Sequence, residues 1–438
     1  MNSPRCAILI YPPWRKARRK KDHFDGLSNI GAYMLLDAAK RDGVEIEFCT
    51  PESAHKFDMV LVSFTSNYDI LAYAKAVFGL QSFKHRRFKV LAGGFGMQNP
   101  YPIQEFVDYV WFGRCEREIS WLIKNKCEVE HDSLLKLPDW KKCKINQSCI
   151  YPNKFQLGTR VHGDGFQESI MGCPNNCFYC HFTWSRKHYK TGNHFDVSLY
   201  SRGQELDMFN IDDYNPNNAM ITVGLDGYSE RLRKIMNRRN TNQDLIEFVE
   251  GVSHKTTSKR EAVFIKMYNI IGQEAETEDD YREFCDLLPG LRLKKRIVGI
   301  IHSTPLHPSP CTPAAYCAVD LEADARKYVG KPIIDKPLIN FFHSPYQESS
   351  WGLIESLVVE RGQESTQNIF MDVVFNRKLK NLRSRQKITA ISRKHDIEPL
   401  VRKYSPNENL PTWFLEGYTP QDSIRRMRRV MIKRMQKC

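Results

Sequence analysis

Cys173, Cys177 and Cys180 stand at the spacing C-x-x-x-C-x-x-C inside the run GCPNNCFYC, residues 172–180. Three thiolates so spaced can ligate three irons of a cubane [4Fe-4S] cluster and leave the fourth iron open to a small molecule. Gly172 and Pro174 favour a turning loop that can wrap an inorganic cluster, and Tyr179 sets an aromatic ring just before the last ligand. Zinc on the three thiolates plus His181 or His188 is the competing reading, although structural zinc sites pair their ligands as two short knuckles and no second C-x-x-C occurs. Inert buried cysteines need an apolar periodicity that Pro, Gly and two Asn break here. The other ten cysteines, at 6, 49, 115, 127, 143, 149, 285, 311, 317 and 438, are scattered, and several fall in strand-like apolar runs as ordinary core residues. A second cluster would have to draw on Cys311 with Cys317, or on Cys127, Cys143 and Cys149.

The first residues, MNSPRCAILIYPPW, hold only a short apolar stretch that runs into Pro-Pro, so neither a signal peptide nor a membrane span is expected. A thiol-rich chain without an export signal predicts a reducing, cytoplasmic setting. With 438 residues and 41% hydrophobic content, two or three cores can form.

Charge is localised. The net is +14, yet three acid-free segments hold more than all of it: residues 15–21 carry six positive charges, 377–394 eight, and 425–437 seven. Patches of this kind suit a polyphosphate partner through counterion release, and they also occur as solvated helix faces. Arg18, Arg19, Lys20, Arg383, Arg385, Arg425, Arg428 and Arg429 are the candidate nucleic-acid contacts. Ile424, Met427, Met431 and Met435 recur at helical spacing, so the last helix can pack on the body or lie on an anionic surface.

The elements that must position these groups begin with strand and helix alternation over residues 1–125. Strands are expected at 7–11, 44–49, 59–64, 88–92 and 107–112, with helices at 28–42, closed by Gly43, at 69–83, and from Glu116. This βα order implies an open parallel sheet whose ligand crevice lies past the carboxyl ends of its strands. Pro12, Pro13 and Trp14, then Thr65, Ser66 and Asn67, then Gly93, Gly94 and Phe95 fall there, the glycines allowing close approach to a planar or phosphorylated ligand.

The block resembles the cobalamin-binding-type domain that precedes the barrel in one large branch of radical S-adenosylmethionine (SAM) enzymes. The strand ending at Pro12-Pro13, GAYMLLDAAKRDG, FDMVLVSFTS, LAGGFG and VDYVWFGRCERE occur in that family's order. Two departures matter: Gly113-Arg114-Cys115-Glu116 stands where the family usually has Gly-Glu-Gly-Glu, and no D-x-H-x-x-G supplies a histidine to cobalt. The resemblance therefore implies the fold more than the cobalamin. The cysteine loop is similar to the family's cluster loop, where the open iron chelates the amino and carboxylate groups of SAM and one electron releases a 5′-deoxyadenosyl radical.

After a linker at 126–160, a catalytic domain is expected at 161–319. GLDGYSERLRKIMNRR, residues 224–239, resembles the family's Gly-Leu-Glu-Ser-Gly-Ser-Asp turn after the strand AMITVGL. IIGQEAETEDD, residues 270–280, is similar to a later element that lies beside adenine, with Ala275 replacing its second glycine. The resemblance makes Tyr179, Gly224, Asp226, Ser229 and Gly272 the SAM contacts, with the helix amino end facing the methionine carboxylate. Between Cys180 and Gly224 there is room for a helix near 199–210 but hardly for two further βα units, and no Gly-Gly-Glu segment is present. A partial, truncated (β/α) barrel is the expectation.

From 320 to 438 the resemblance stops. Helices are expected at 321–329, 350–360 and 378–394, strands at 333–342 and 369–375, and an aromatic, basic end in an α+β C-terminal region. The leading reading is α/β overall: a radical SAM enzyme that abstracts hydrogen from a nucleic-acid base or its modified side chain, served by a one-electron reductant such as flavodoxin or ferredoxin. Isomerases of amino-acid-decorated thymine in hypermodified phage DNA, acting in a host cytoplasm, fit the localised charge. The alternatives are a cobalamin-dependent methyltransferase, an RNA methylthiotransferase, and a non-catalytic iron-sulfur or zinc protein that binds nucleic acid. The sequence assigns no hydrogen donor.

Overall fold

The computed structural model describes residues 4–12, 14, 30–131, 133–137, 160–161, 166–167, 170–171, 175–180, 189–190, 204–205, 220–256, 262–310, 312–323, 332–343, 350–408 and 421–437. Two mostly parallel sheets flanked by helices make a mixed α/β architecture. The first contains β1 (Cys6–Leu9), β2 (Ile46–Cys49), β3 (Met59–Ser63), β4 (Lys89–Gly93), β5 (Tyr109–Trp111) and β6 (Leu134–Lys136), in the order β2-β1-β3-β4-β5-β6. Every pairing is parallel except that of β5 with β6. Runs such as MVLVS suit strands covered on both faces. Helices α1 (Ile30–Arg41), α2 (Tyr68–Val77), α3 (Gln81–Lys84) and α4 (Ile119–Lys124) provide much of that cover. Ile8, Met59, Leu61 and Leu91 pack with α1 and α4, whereas Val60, Val62, Val90 and Ala92 pack with α2 and α3. The single helix expected over 69–83 is instead two, because the chain turns through Gly79 and Leu80 N–H closes on the Val77 carbonyl at 2.9 Å.

Two short antiparallel pairs follow: β7 (Arg160–Val161) with β8 (Phe166–Gln167), and β9 (Ile170–Met171) with β10 (Tyr189–Lys190). The second pair brackets the cysteine loop in sequence. The second sheet is built from β11 (Gln204–Glu205), β12 (Met220–Gly224), β13 (Ala262–Ile271), β14 (Arg296–Pro305), β15 (Pro332–Lys336) and β16 (Ile339–His343), in the order β11-β12-β13-β14-β16-β15. All its neighbours are parallel except β15 with β16. Helices α5 (Glu230–Ile235) and α6 (Asn242–Lys255) follow β12, and α7 (Glu278–Leu287) follows β13. Along β13 the side chains alternate as a strand requires: Val263, Ile265 and Met267 pack under Phe248 and Val249 of α6, while Phe264 on the opposite face is 43% exposed.

Two sequence expectations fail here. Gln204 and Glu205, assigned to a helix near 199–210, instead form β11 beside β12. The strand-like run at 333–342 is a hairpin, broken at 337–338 by a turn.

The remaining helices are α8 (Ser350–Glu360), α9 (Gln367–Phe375), α10 (Ser384–Lys394), α11 (Glu398–Val401) and α12 (Gln421–Lys437). The expected strand at 369–375 is the helix α9, since Ile369, Phe370, Val373 and Val374 form one buried helical stripe. Of the helix expected at 321–329, only 321–323 are described, as a turn. Leu353, Leu357 and Val358 of α8 join α9 on the first sheet's core. Arg361, fully buried, donates to the carbonyls of Leu400, Ala315 and Cys317 at 2.7–2.9 Å, and burial pulls its pKa down to about 10. It ties these C-terminal helices to the turn at 313–316.

Candidate functional site

Cys177 and Cys180 lie on a short loop in which Cys180 N–H donates to the Cys177 carbonyl at 3.2 Å. Cys173 falls outside the described residues. Phe178 fixes the loop from both sides: its N–H donates to the Met236 carbonyl at 3.0 Å, and its own carbonyl accepts from Ala314 N–H at 2.8 Å. Asn237, at φ +62°, donates from Nδ2 to the Asn176 carbonyl at 2.8 Å. Tyr179 is half-buried against an apolar cluster that contains Phe178, Met236, Ile270, Leu306 and Met431.

The turn after β12 meets this loop through Arg238. Its Nη1 donates to Cys177 Sγ at 3.4 Å and its Nη2 to the Gly224 carbonyl at 3.5 Å. Its Nε lies 3.1 Å from Asp226 Oδ2, a close ion pair in which the N–H is not aimed along the hydrogen-bond direction. The Arg238 side chain is 1% exposed and that of Asp226 11%. Asp226 adopts φ +59°, a left-handed conformation that Asp tolerates better than most residues. Arg233 holds the turn from behind, donating from Nη1 to the carbonyls of Gly227 and Tyr228 at 3.0 Å.

Gly272 enters from the end of β13. Its φ is +75°, and a side chain there would put a Cβ 2.9 Å from that of Ala323, so only glycine fits. Gln273 then donates from Nε2 to the Asp226 carbonyl at 3.1 Å, and Glu276 accepts from the N–H of Gly272 at 2.6 Å. Cys177, Gly224, Asp226 and Gly272 are thus gathered at the carboxyl ends of β12 and β13.

Ser229 is not part of that group. It is fully buried, accepts from Leu232 N–H at 3.1 Å as the cap of α5, and donates to Asp280 Oδ1 at 2.5 Å. Glu283 accepts from Glu230 N–H at 2.9 Å, so this chain's own side chains fill the amino end expected to face a carboxylate. Asp280 also accepts from Arg231 and from Thr277 N–H at 2.8 Å. Burial alone would raise its pKa, but these hydrogen bonds outweigh it and hold the carboxyl below the usual carboxylate range.

The basic residues divide. Arg18, Arg19 and Lys20 lie outside the described residues. Arg383 and Arg385 are exposed, with Arg385 3.1 Å from Glu322. Arg425 is half-buried and Arg429 exposed. Arg428, expected to face phosphate, is instead fully buried, because the apolar face of α12 packs inward through Ile424 and Met431 and carries Arg428 with it. There it pairs with Glu274 at 2.9 Å and donates to Cys317 Sγ at 3.0 Å. Burial raises the Cys317 pKa to about 12, with Arg428 opposing, so this thiol stays protonated.

The expected crevice of the first sheet is engaged within the chain. Thr65 and Ser66 N–H donate to Asp69 at 2.7 and 2.9 Å, filling the amino end of α2. Asn67 Nδ2 donates to Ser356 and, at 2.8 Å, to Glu360, and Asn99 donates to the carbonyls of Val359 and Gly362 at 2.7 and 2.9 Å. A Cβ on Gly96 would lie 2.3 Å from the Ser66 carbonyl, so this glycine admits the chain's own backbone. Among the described residues, this end of the sheet is thus occupied by the chain's own polar groups and backbone. The loop thiols beside a buried guanidinium do fit an anionic, thiolate-held cluster.

Among the described residues no group of three or more His, Cys, Asp and Glu is gathered as a metal site, Cys173 lying outside them. No helix among them is long and apolar enough to cross a membrane.

No protein-family model and no curated protein matches the chain. Among solved structures it is similar to the apo, selenomethionine-labelled cobalamin-dependent S-adenosylmethionine radical enzyme OxsB, at 11% identity and a TM-score of 0.32, covering 99% of this chain and 61% of that one. The same enzyme with aqua-cobalamin and S-adenosylmethionine bound gives 10% identity and a TM-score of 0.31, covering 100% of this chain and 62% of that one. The chain therefore spans less than two thirds of the length of those structures. Likeness at this level assigns neither activity nor ligand.

Proposed function

We propose that the chain is a radical SAM enzyme in which Cys173, Cys177 and Cys180 hold a [4Fe-4S] cluster, and that it acts on a nucleic-acid base or its modified side chain. Those three thiolates would hold the cluster, which would supply the one-electron reduction needed for reductive SAM cleavage and hydrogen abstraction from the substrate. The observation that carries the reading is the meeting of two separately legible stretches on one guanidinium: Arg238 touches Cys177 of the cysteine loop and both Gly224 and Asp226 of the strand-end turn.

In this reading Asp226 and Gly224 receive SAM beside the cluster, and Tyr179 flanks it. The substrate assignment is supported by α12, where Arg426, Arg429, Lys433 and Lys437 form an exposed stripe at helical spacing. That helix packs directly on the cysteine loop, with the Arg434 guanidinium 5.3 Å over the Phe178 ring. Phosphates held on the stripe would bring a base toward the loop. Remodelling of amino-acid-decorated thymine in hypermodified DNA is the most specific form of this assignment.

Anaerobic reconstitution with iron and sulfide tests the core of the proposal. Near four irons per chain, together with 5′-deoxyadenosine formed from SAM on reduction, is the expected result. Stoichiometric zinc without SAM cleavage would replace it with a structural metal site.

A further inference from the structure

Resting on the cluster assignment proposed above, we infer that Arg238 is a positioning residue that raises the reduction potential of the cluster and holds Asp226 toward the bound cofactor. Its guanidinium is almost wholly buried, so water cannot solvate it and it requires anionic or acceptor partners. Among the described residues these include Cys177 Sγ at 3.4 Å, the Gly224 carbonyl at 3.5 Å and Asp226 Oδ2 at 3.1 Å. When Cys177 ligates iron as a thiolate, the first contact becomes a charge-assisted hydrogen bond to a ligand sulfur.

A fixed positive charge at the ligand stabilises the more negative, reduced cluster over the oxidised one, and hydrogen bonds to sulfur shift the potential in the same direction. The step affected is the entry of one electron from an external low-potential donor such as a flavodoxin or ferredoxin, in which no bond forms or breaks. The other end of the guanidinium sits on Asp226, whose left-handed backbone is adopted without the help of a glycine. One side chain therefore couples electron uptake to the geometry of the turn. Lysine, with a single compact ammonium, cannot span Cys177, Gly224 and Asp226 together.

The test compares full-length wild type, Arg238→Gln and Arg238→Lys after anaerobic reconstitution, reading iron content, the cluster midpoint by EPR-monitored redox titration with dithionite, and SAM affinity. With iron retained, Arg238→Gln is expected to make one-electron reduction about tenfold less favourable, a midpoint about 59 mV more negative, and to weaken SAM binding about tenfold. Arg238→Lys should recover part of the potential but little of the SAM affinity. An unchanged midpoint in an iron-replete Arg238→Gln protein overturns the inference and leaves Arg238 as packing. If Arg238→Gln loses iron, the lysine variant decides: retained iron with a near-wild-type midpoint supports the electrostatic role, and loss of iron in both overturns it. Absence of iron from the wild type would instead remove the cluster assignment itself.

Discussion

The Ser229 hydroxyl donates to the Asp280 carboxylate at 2.5 Å, joining the cap of α5 to the first turn of α7. Asp280 in turn receives Arg231 and the Thr277 N–H, so two helix starts share one acid. Ser229→Ala should destabilise the fold by about 1–2 kcal/mol while leaving SAM affinity unchanged. A selective loss of SAM binding at unchanged urea midpoint would return Ser229 to the cofactor site.

Asp280 also predicts a pH dependence. Its folded carboxyl lies below the ordinary value of about 3.9, so its stabilisation is complete above that value and is lost as pH falls through the folded value. Asp280→Asn should flatten this acid limb of a stability-against-pH curve. An identical limb in the variant would assign acid sensitivity to other carboxylates.

Asp226 and Ser229 separate in a direct comparison. Asp226→Asn keeps a residue that accepts the left-handed conformation but removes the charge facing Arg238, so SAM affinity should fall about tenfold with the cluster spectrum retained. Ala at any of Cys173, Cys177 and Cys180 should abolish both cluster and SAM cleavage, because three thiolates leave none to spare. Full iron in the triple variant would sink the ligand assignment.

The last helix carries two kinds of arginine. Arg428→Ala leaves Glu274 short of its main buried partner and should cost about 3–5 kcal/mol in stability, without altering the salt dependence of nucleic-acid binding. Charge reversal at Arg426, Arg429 and Lys433 should do the opposite, lowering the log-log salt slope by roughly 0.7–0.9 for each phosphate no longer neutralised. A protein that binds no DNA or RNA in a salt-dependent way removes the substrate assignment and leaves the stripe as solvated surface.

Hydroxocobalamin mixed with the purified protein should keep the absorbance of the free corrinoid and separate completely from the protein on a desalting column. Co-elution at one corrinoid per chain would show that Asn67, Asn99 and α8 yield the crevice they occupy.

Local pattern carried much of this protein. The apolar runs of β1, β3 and β4 and the periodicity of α1 follow from side-chain alternation within a few residues, and the cysteine spacing alone is what proposes a ligand loop. Short apolar runs are ambiguous between strand and helix, which is why 369–375 reads as a strand and folds as α9. Arg238 lies inside the legible stretch 224–239, but nothing local says that its guanidinium reaches Cys177, a contact across 61 residues. Arg428 and Arg429 are adjacent and chemically identical. Only the packing of α12, which turns Met431 inward, buries one and leaves the other in water. Likewise the glycines after β4 are plain in the sequence, while the backbone that fills the space beside them arrives from another turn of the chain. Sequence determined which candidate residues stand at which spacing; tertiary structure decided which groups meet, because burial and long-range pairing depend on elements far apart along the chain.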